Sequence, residues 1–155
     1  MKNRVLTFSE IDKLALKIAK KMKNGGILGL IGDLGTGKTT FTKRICSEYN
    51  ITENVKSPTF TYVISYTSGD VKVYHFDMYR ITDPSEIYEI GFEDYIGEEG
   101  AVVIVEWADN IYEEMPEETL YVEMSYSDEN KRNVLIYKIK NGEREYVDFS
   151  DNDDY

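Results

Sequence analysis

Eight consecutive residues constrain this chain most: Gly32-Asp33-Leu34-Gly35-Thr36-Gly37-Lys38-Thr39. They match G-x-x-x-x-G-K-[ST], the phosphate-binding P-loop. Glycines let such a loop curl so that successive backbone N–H groups point inward at phosphate oxygens. In that frame Lys38 reaches the β and γ phosphates, and the Thr39 hydroxyl is a Mg²⁺ ligand. A following helix aims its positive N-terminal end at the same charge. A random chain of this length shows the pattern roughly once in a few hundred.

The flanking sequence has the order this chemistry needs. Gly25-Gly26 is a turn signal, and Ile27 to Ile31 is an apolar run that reads as a buried strand. After the loop, Phe41, Ile45, Cys46 and Tyr49 fall at helical spacing, which predicts a helix ending near Asn50. Upstream, Ser9 reads as an N-cap for an amphipathic helix reaching about Lys23, with Asp12 as a near-capping box. Thr59 to Tyr66 and Val71 to Phe76 read as a hairpin around Thr67-Ser68-Gly69-Asp70. Pro84-Ser85-Glu86 opens a short helix through Ile90, and Ala101 to Glu106 is a buried strand. Thr119 to Tyr126 and Val134 to Ile139 are two further strands, joined by a turn at Asp128-Glu129-Asn130. The expected fold is α/β: a P-loop NTPase-like mixed β-sheet flanked by helices, in one domain over residues 1–147. An acidic tail, 148–155, is expected to fray.

Composition narrows the function. The chain has 155 residues, 41% of them hydrophobic, enough for one proper core. No run of about 18 apolar residues occurs and no apolar segment follows Met1-Lys2-Asn3-Arg4, so a soluble, cytoplasmic protein without membrane attachment is expected. The net charge is −11, which argues against an independent grip on DNA or RNA. Lys17, Lys20, Lys21 and Lys23 read as the solvated side of the first helix. The single cysteine, Cys46, sits among apolar helix positions and reads as a core thiol.

A Mg²⁺ site needs oxygen ligands, so a carboxylate at the end of an apolar strand is sought. Val102-Val103-Ile104-Val105-Glu106 supplies one; Glu106 is a metal ligand or a solvated strand-end acid. Val73-Tyr74-His75-Phe76-Asp77 ends similarly; Asp77 orients water at the site or pairs with Arg80. Thr59 in Ser57-Pro58-Thr59-Phe60 is either a switch-loop hydroxyl or an ordinary strand-start residue. His75, the only histidine, supports no metal claim by itself, and Trp107 next to Glu106 stacks on a ligand or fills core. No guanine-reading N-K-x-D sequence occurs, which favours adenine.

Taken together, the P-loop through Thr40, Lys56-Ser57-Pro58-Thr59-Phe60, Tyr74-His75-Phe76-Asp77-Met78-Tyr79-Arg80, Gly91-Phe92-Glu93-Asp94-Tyr95 and Val105-Glu106-Trp107 resemble the bacterial TsaE (YjeE) family. The likeness runs from about Arg4 to about Arg132. These are small P-loop ATPases needed for the threonylcarbamoyladenosine modification of tRNA. The resemblance implies that Gly35, Thr36, Gly37, Lys38, Thr39 and Thr40 bind the phosphates of ATP and that Thr39 and Glu106 hold Mg²⁺. It implies that Asp77 assists hydrolysis, that Thr59 belongs to a switch-like loop, and that Trp107 flanks the site. An N-terminal acid, Glu10, and a C-terminal arginine, Arg132, would approach the nucleotide. The implied partner is the TsaB–TsaD complex, with tRNA engaged only indirectly. After Glu106-Trp107 the family often has proline, whereas Ala108-Asp109 follows here.

Two other functions fit a P-loop. A small-molecule kinase would need an acceptor pocket and an arginine-bearing lid, yet only Arg44, Arg80, Arg132 and Arg144 follow the loop. A nucleotide-dependent adaptor would use bound ATP to order the Thr59 loop without turnover.

Overall fold

A computed structural model describes residues 3–149. Strand β1 (Arg4–Thr7) leads directly into helix α1 (Phe8–Lys21). The helix starts earlier than expected, and its N-cap is Thr7 rather than Ser9. Thr7 Oγ1 accepts from Glu10 N–H at 3.2 Å while Glu10 Oε1 accepts from Thr7 N–H at 2.9 Å. A Thr-x-x-Glu pair closes this reciprocal box better than Ser-x-x-Asp, because the longer glutamate reaches back to the cap N–H.

Next come β2 (Gly26–Ile31) and α2 (Lys38–Glu48), the P-loop between them. The expected hairpin forms from β3 (Val63–Tyr66) and β4 (Val73–Asp77), paired antiparallel. β3 begins later than expected, because residues 59–61 form a turn and Tyr62 is left-handed at φ 66°. A 3-10 turn at Pro84–Glu86 opens α3 (Ile87–Ile90), and α4 (Phe92–Ile96) follows across left-handed Gly91. β5 (Val102–Glu106) precedes a 3-10 segment, Ala108–Glu114. β6 (Leu120–Asp128), β7 (Lys131–Lys140) and β8 (Glu143–Tyr146) complete the chain.

The strands form one mixed sheet in the order β1-β7-β6-β2-β5-β4-β3, with β8 also on β7. At its centre β2 runs parallel to both β5 and β6, and β4 runs parallel to β5. The near-continuous apolar runs of β2 and β5 follow from burial on both faces. Alternation sorts their side chains. Leu28, Leu30, Val102 and Ile104 face α1 and α2 with Ile18, Phe41 and Ile45. Ile27, Ile31, Val103 and Val105 face the opposite layer with Phe76, Phe92, Ile111 and Tyr121. Gly29 belongs to the second face, where an added Cβ would lie 2.7 Å from the Tyr121 ring.

Of the acidic tail expected at 148–155, only Asp148 and Phe149 are among the described residues. Packing continues past the expected boundary. Val147 N–H donates to Ile136 O at 2.9 Å, and Phe149 is buried in the α1-side core. Among the described residues no helix is long and apolar enough to cross a membrane. Lys20, Lys21 and Lys23 are exposed, as read from the sequence, while Lys17 Nζ donates to Phe149 O at 3.2 Å.

Candidate functional site

Parallel pairing brings the C-terminal ends of β2, β4 and β5 to one edge, with Asp77 and Glu106 as register partners. The P-loop leaves β2 at that same edge. Ligands of open α/β sheets bind in such a crevice. A cavity of about 380 Å³ lies there, within the range typical of small-molecule sites. Its wall includes Gly35, Gly37, Lys38, Thr39, Thr40, Ser57, Thr59, Asp77, Tyr79, Glu106 and Trp107. Residues read separately from four stretches of sequence therefore face one space.

The loop geometry rests on glycine. Gly37 caps α2 with φ 115°, a left-handed conformation strained for other residues, and a Cβ on Gly32 would run into the Met124 carbonyl. The start of α2 leaves the Lys38, Thr39 and Thr40 N–H groups without intrahelical partners, at the positive end of the helix. Thr36 differs from expectation. It is buried, its N–H and hydroxyl both return to the Asp33 carbonyl, and its own carbonyl accepts from Arg132 Nε at 3.2 Å. Thr36 thus braces the loop rather than lining the cavity.

Lys38 is 5% exposed. Its ammonium donates to the carbonyls of Gly32 and Asp33 and lies 4.3 Å from the centre of the Trp107 ring. Burial pulls its pKa below the ordinary lysine value, and the Glu106 and Asp77 carboxylates oppose that shift. Trp107 is held in a left-handed conformation, φ 59°, which is rare for a bulky residue. Its ring centre lies 4.8 Å from that of Tyr79, and the side chain lines the cavity while packing against the core layer of Phe76 and Phe92.

Glu106 is 2% exposed, which removes the alternative of a solvated strand-end acid. Thr39 Oγ1 lies 3.0 and 3.1 Å from its two carboxylate oxygens. A hydroxyl facing a carboxylate at a helix N-terminus offers hard oxygen donors of the kind Mg²⁺ prefers, so these residues fit that ion. Asp77 is 4% exposed; it accepts from Ser57 Oγ, from Thr59 Oγ1 at 3.2 Å and from Tyr79 N–H at 2.8 Å. The pairing with Arg80 suggested by spacing gives way to these bonds, and the Arg80 guanidinium lies 5.3 Å from the Phe60 ring. Thr59 accordingly sits in a loop tied to the site, not at the start of a strand.

Two candidates lie away from the cavity wall. Glu10 is occupied in the α1 capping box, and Thr7 hydrogen bonds hold its carboxyl below the usual carboxylate range. Arg132 sits behind the P-loop, between the rings of Phe8 and Tyr126 at 5.0 and 4.7 Å, where it braces Thr36. Tyr126 adds a second brace by donating to Leu34 O at 2.6 Å.

Sequence reasoning weighed His75 only as a metal ligand, which it did not support, and gave Tyr66 no role beyond a strand position. His75 is fully buried, with Nε2 2.5 Å from Glu106 Oε2 and Nδ1 3.2 Å from the Tyr66 hydroxyl. A polar pair, His75 and Asp77, at i and i+2 on an otherwise apolar strand was the available signal.

Fold and site define a P-loop NTPase-like protein of the single-domain, mixed-sheet kind. Residues 6–134 match the family model "Threonylcarbamoyl adenosine biosynthesis protein TsaE". The chain belongs to the TsaE family, whose members serve tRNA threonylcarbamoyladenosine biosynthesis. It is 38% identical to the tRNA threonylcarbamoyladenosine biosynthesis protein TsaE of Bacillus subtilis, over 91% of this chain and 87% of that one. It is 36% identical to the protein of that name from Rickettsia felis, over 90% and 81%. The crystal structure of Bacillus subtilis YdiB superposes with a TM-score of 0.72 at 32% identity, covering 90% of this chain and 88% of that one.

Proposed function

We propose that the chain is a cytoplasmic, Mg²⁺-dependent ATPase that supports tRNA threonylcarbamoyladenosine formation through the TsaB–TsaD complex. One observation carries the reading: the Thr39 hydroxyl, the Glu106 carboxylate and the Asp77–Thr59 pair face one cavity beside the P-loop. ATP phosphates would lie against the N–H groups that open α2, with Lys38 neutralising the β and γ oxygens. Thr39 and Glu106 would hold Mg²⁺. When bound, the ion supplies positive charge that stabilises the transferring phosphoryl group. Asp77 fixes Ser57 and Thr59, so the loop and the position of the attacking water are set together. Trp107 shields the Lys38 side of the cavity.

A kinase reading finds less support. None of Arg44, Arg80, Arg132 or Arg144 is part of the cavity wall, and Arg144 instead pairs with Glu123 at 3.4 Å. The net charge of −11 suits a protein that acts on tRNA only through partners.

The test is ATP hydrolysis with and without purified TsaB–TsaD, with Lys38→Ala as control. Low basal turnover that rises with the complex and vanishes in the variant is expected. No response to the complex would overturn the partner coupling, and phosphoryl transfer to a metabolite instead of water would overturn the ATPase reading.

A further inference from the structure

The cavity wall accounts for Glu106, Asp77 and Thr59 but leaves a buried polar pair behind it. Tyr66 and His75 are each at most 1% exposed, on adjacent antiparallel strands. Groups of this kind are retained in a core only where their hydrogen bonds are made. His75 Nε2, at 2.5 Å, faces a carboxylate oxygen of Glu106 that can only accept when ionised, so Nε2 carries the hydrogen. Nδ1 lies 3.2 Å from the Tyr66 hydroxyl, so both ring nitrogens are in hydrogen-bond contact. The Tyr66 oxygen is also 3.2 Å from Lys56 N, which donates to it, and 3.2 Å from Lys56 O. Lys56 immediately precedes Ser57, whose hydroxyl binds Asp77.

The path is continuous: Thr39, Glu106, His75, Tyr66, backbone of residue 56, Ser57, Asp77. It starts and ends in the cavity wall, and β4 supplies two of its members, His75 and Asp77, from one face of the strand. Partners behind a ligating carboxylate fix its rotation and strongly affect metal affinity.

We propose that His75 and Tyr66 are positioning residues that tie the Glu106 carboxylate to the loop carrying Ser57 and Thr59, so that metal capture and loop ordering are one event. His75 sets the carboxylate rotation, and Tyr66 transmits it to the loop at Lys56. The inference rests on the metal role proposed for Thr39 and Glu106, but not on turnover.

The test uses the full chain with ADP or a non-hydrolysable ATP analogue. Trp107, the single tryptophan, lines the cavity and reports nucleotide binding by fluorescence, first in EDTA and then across a Mg²⁺ series. Hydrogen exchange over residues 56–62 reports the loop. In the wild type, Mg²⁺ should tighten nucleotide binding and slow exchange in that segment. His75→Leu should leave affinity in EDTA within about twofold while raising the Mg²⁺ midpoint about tenfold or more. His75→Gln, which keeps an N–H directed at Glu106, should recover most of that midpoint yet leave the loop unprotected. Tyr66→Phe, which removes one hydroxyl and preserves the ring, should keep the midpoint within about threefold and lose the Mg²⁺-dependent loop protection.

A wild-type midpoint in His75→Leu, or wild-type loop protection in Tyr66→Phe, would overturn the relay alone. A wild type whose nucleotide binding ignores Mg²⁺ would overturn both the relay and the metal role it rests on. Mg²⁺-dependent binding with no hydrolysis would remove the ATPase reading and leave the relay standing.

Discussion

Replacing Glu106 by Gln separates the hydrogen bonding of this carboxylate from its proposed part in holding Mg²⁺. In the structure it accepts from the Thr39 hydroxyl and from His75 Nε2. Glutamine has the same shape and can keep both contacts: its carbonyl accepts from His75, and its amide donates to a rotated Thr39 hydroxyl. Hydrogen bonds to a charged group contribute about 1.5–3 kcal/mol and neutral ones about 0.5–1.5 kcal/mol, so the swap gives up about 2–3 kcal/mol over two bonds. Against this, a buried carboxylate carries a desolvation penalty of several kcal/mol, which the amide largely avoids. The two terms nearly cancel, and the expected change in stability is within about 1 kcal/mol, or roughly 2–4 °C in Tm for a chain of this size. Glu106→Ala behaves differently. It strands the His75 and Thr39 donors at about 1–3 kcal/mol each, and Tm should fall by about 10 °C. Yet both variants lose the anionic oxygen proposed to hold Mg²⁺, so both should raise the Mg²⁺ midpoint for nucleotide binding at least about a hundredfold, more than the loss of a partner behind a ligand would. Thermal unfolding without Mg²⁺, followed by circular dichroism, gives the first quantity, and Trp107 fluorescence gives the second. Equal destabilisation of the two variants would refute the hydrogen-bond accounting. A wild-type Mg²⁺ midpoint in Glu106→Gln would refute the metal role.

Asp77→Asn should reduce hydrolysis about a hundredfold while changing ADP affinity by no more than about threefold, because Asp77 holds the Ser57–Thr59 loop rather than the phosphates; steady-state kinetics beside equilibrium binding checks this. Burial pushes the Cys46 thiol up to about 12, so at pH 8 it should react with a thiol reagent only at the rate of unfolding. The raised value means the folded state holds its proton more tightly, so the wild type should lose stability relative to Cys46→Ala as pH rises from about 8.5 towards 12, as seen in denaturant midpoints. Thr7→Ala should lower stability by about 1 kcal/mol through the lost cap. Glu10, held low by its Thr7 bonds, stabilises the fold above the ordinary carboxylate range and loses that contribution as pH falls through its lowered value. The deficit of Glu10→Ala measured at neutral pH should therefore disappear in acid.

Local sequence carried much of the fold because its signals were local. The turn at Gly25-Gly26, the buried run to Ile31 and the helical spacing from Phe41 to Cys46 each describe one element, and each formed within a few residues of its expected bounds. β1 and β8 were not foreseen. Both are four-residue strands whose partner, β7, lies elsewhere in the chain, so nothing in their own few residues announces them. At the site, Lys38, Thr39, Asp77 and Glu106 were legible because a loop motif and acids ending apolar strands are readable without a partner. His75 and Tyr66 were not, since their meaning depends on β3 and β4 lying beside β5. Glu10 and Arg132 came from resemblance alone, and the structure gives both a bracing or capping part. Thr36 shows the limit of a motif: it marks a loop position and leaves open whether the side chain faces the ligand or the protein.

The sheet order also bears on how the chain is made. β2, which launches the phosphate loop, is flanked by β5 and β6, both synthesised long after it. On the ribosome the first two helices and β2 emerge with both edges of that strand unpaired, and the loop has no rigid support until the later strands arrive. A nascent chain stalled before β5 should be unable to retain ATP and should present an apolar strand to chaperones. Under the proposed nucleotide role, binding competence would appear only after β5 and β6 have been made.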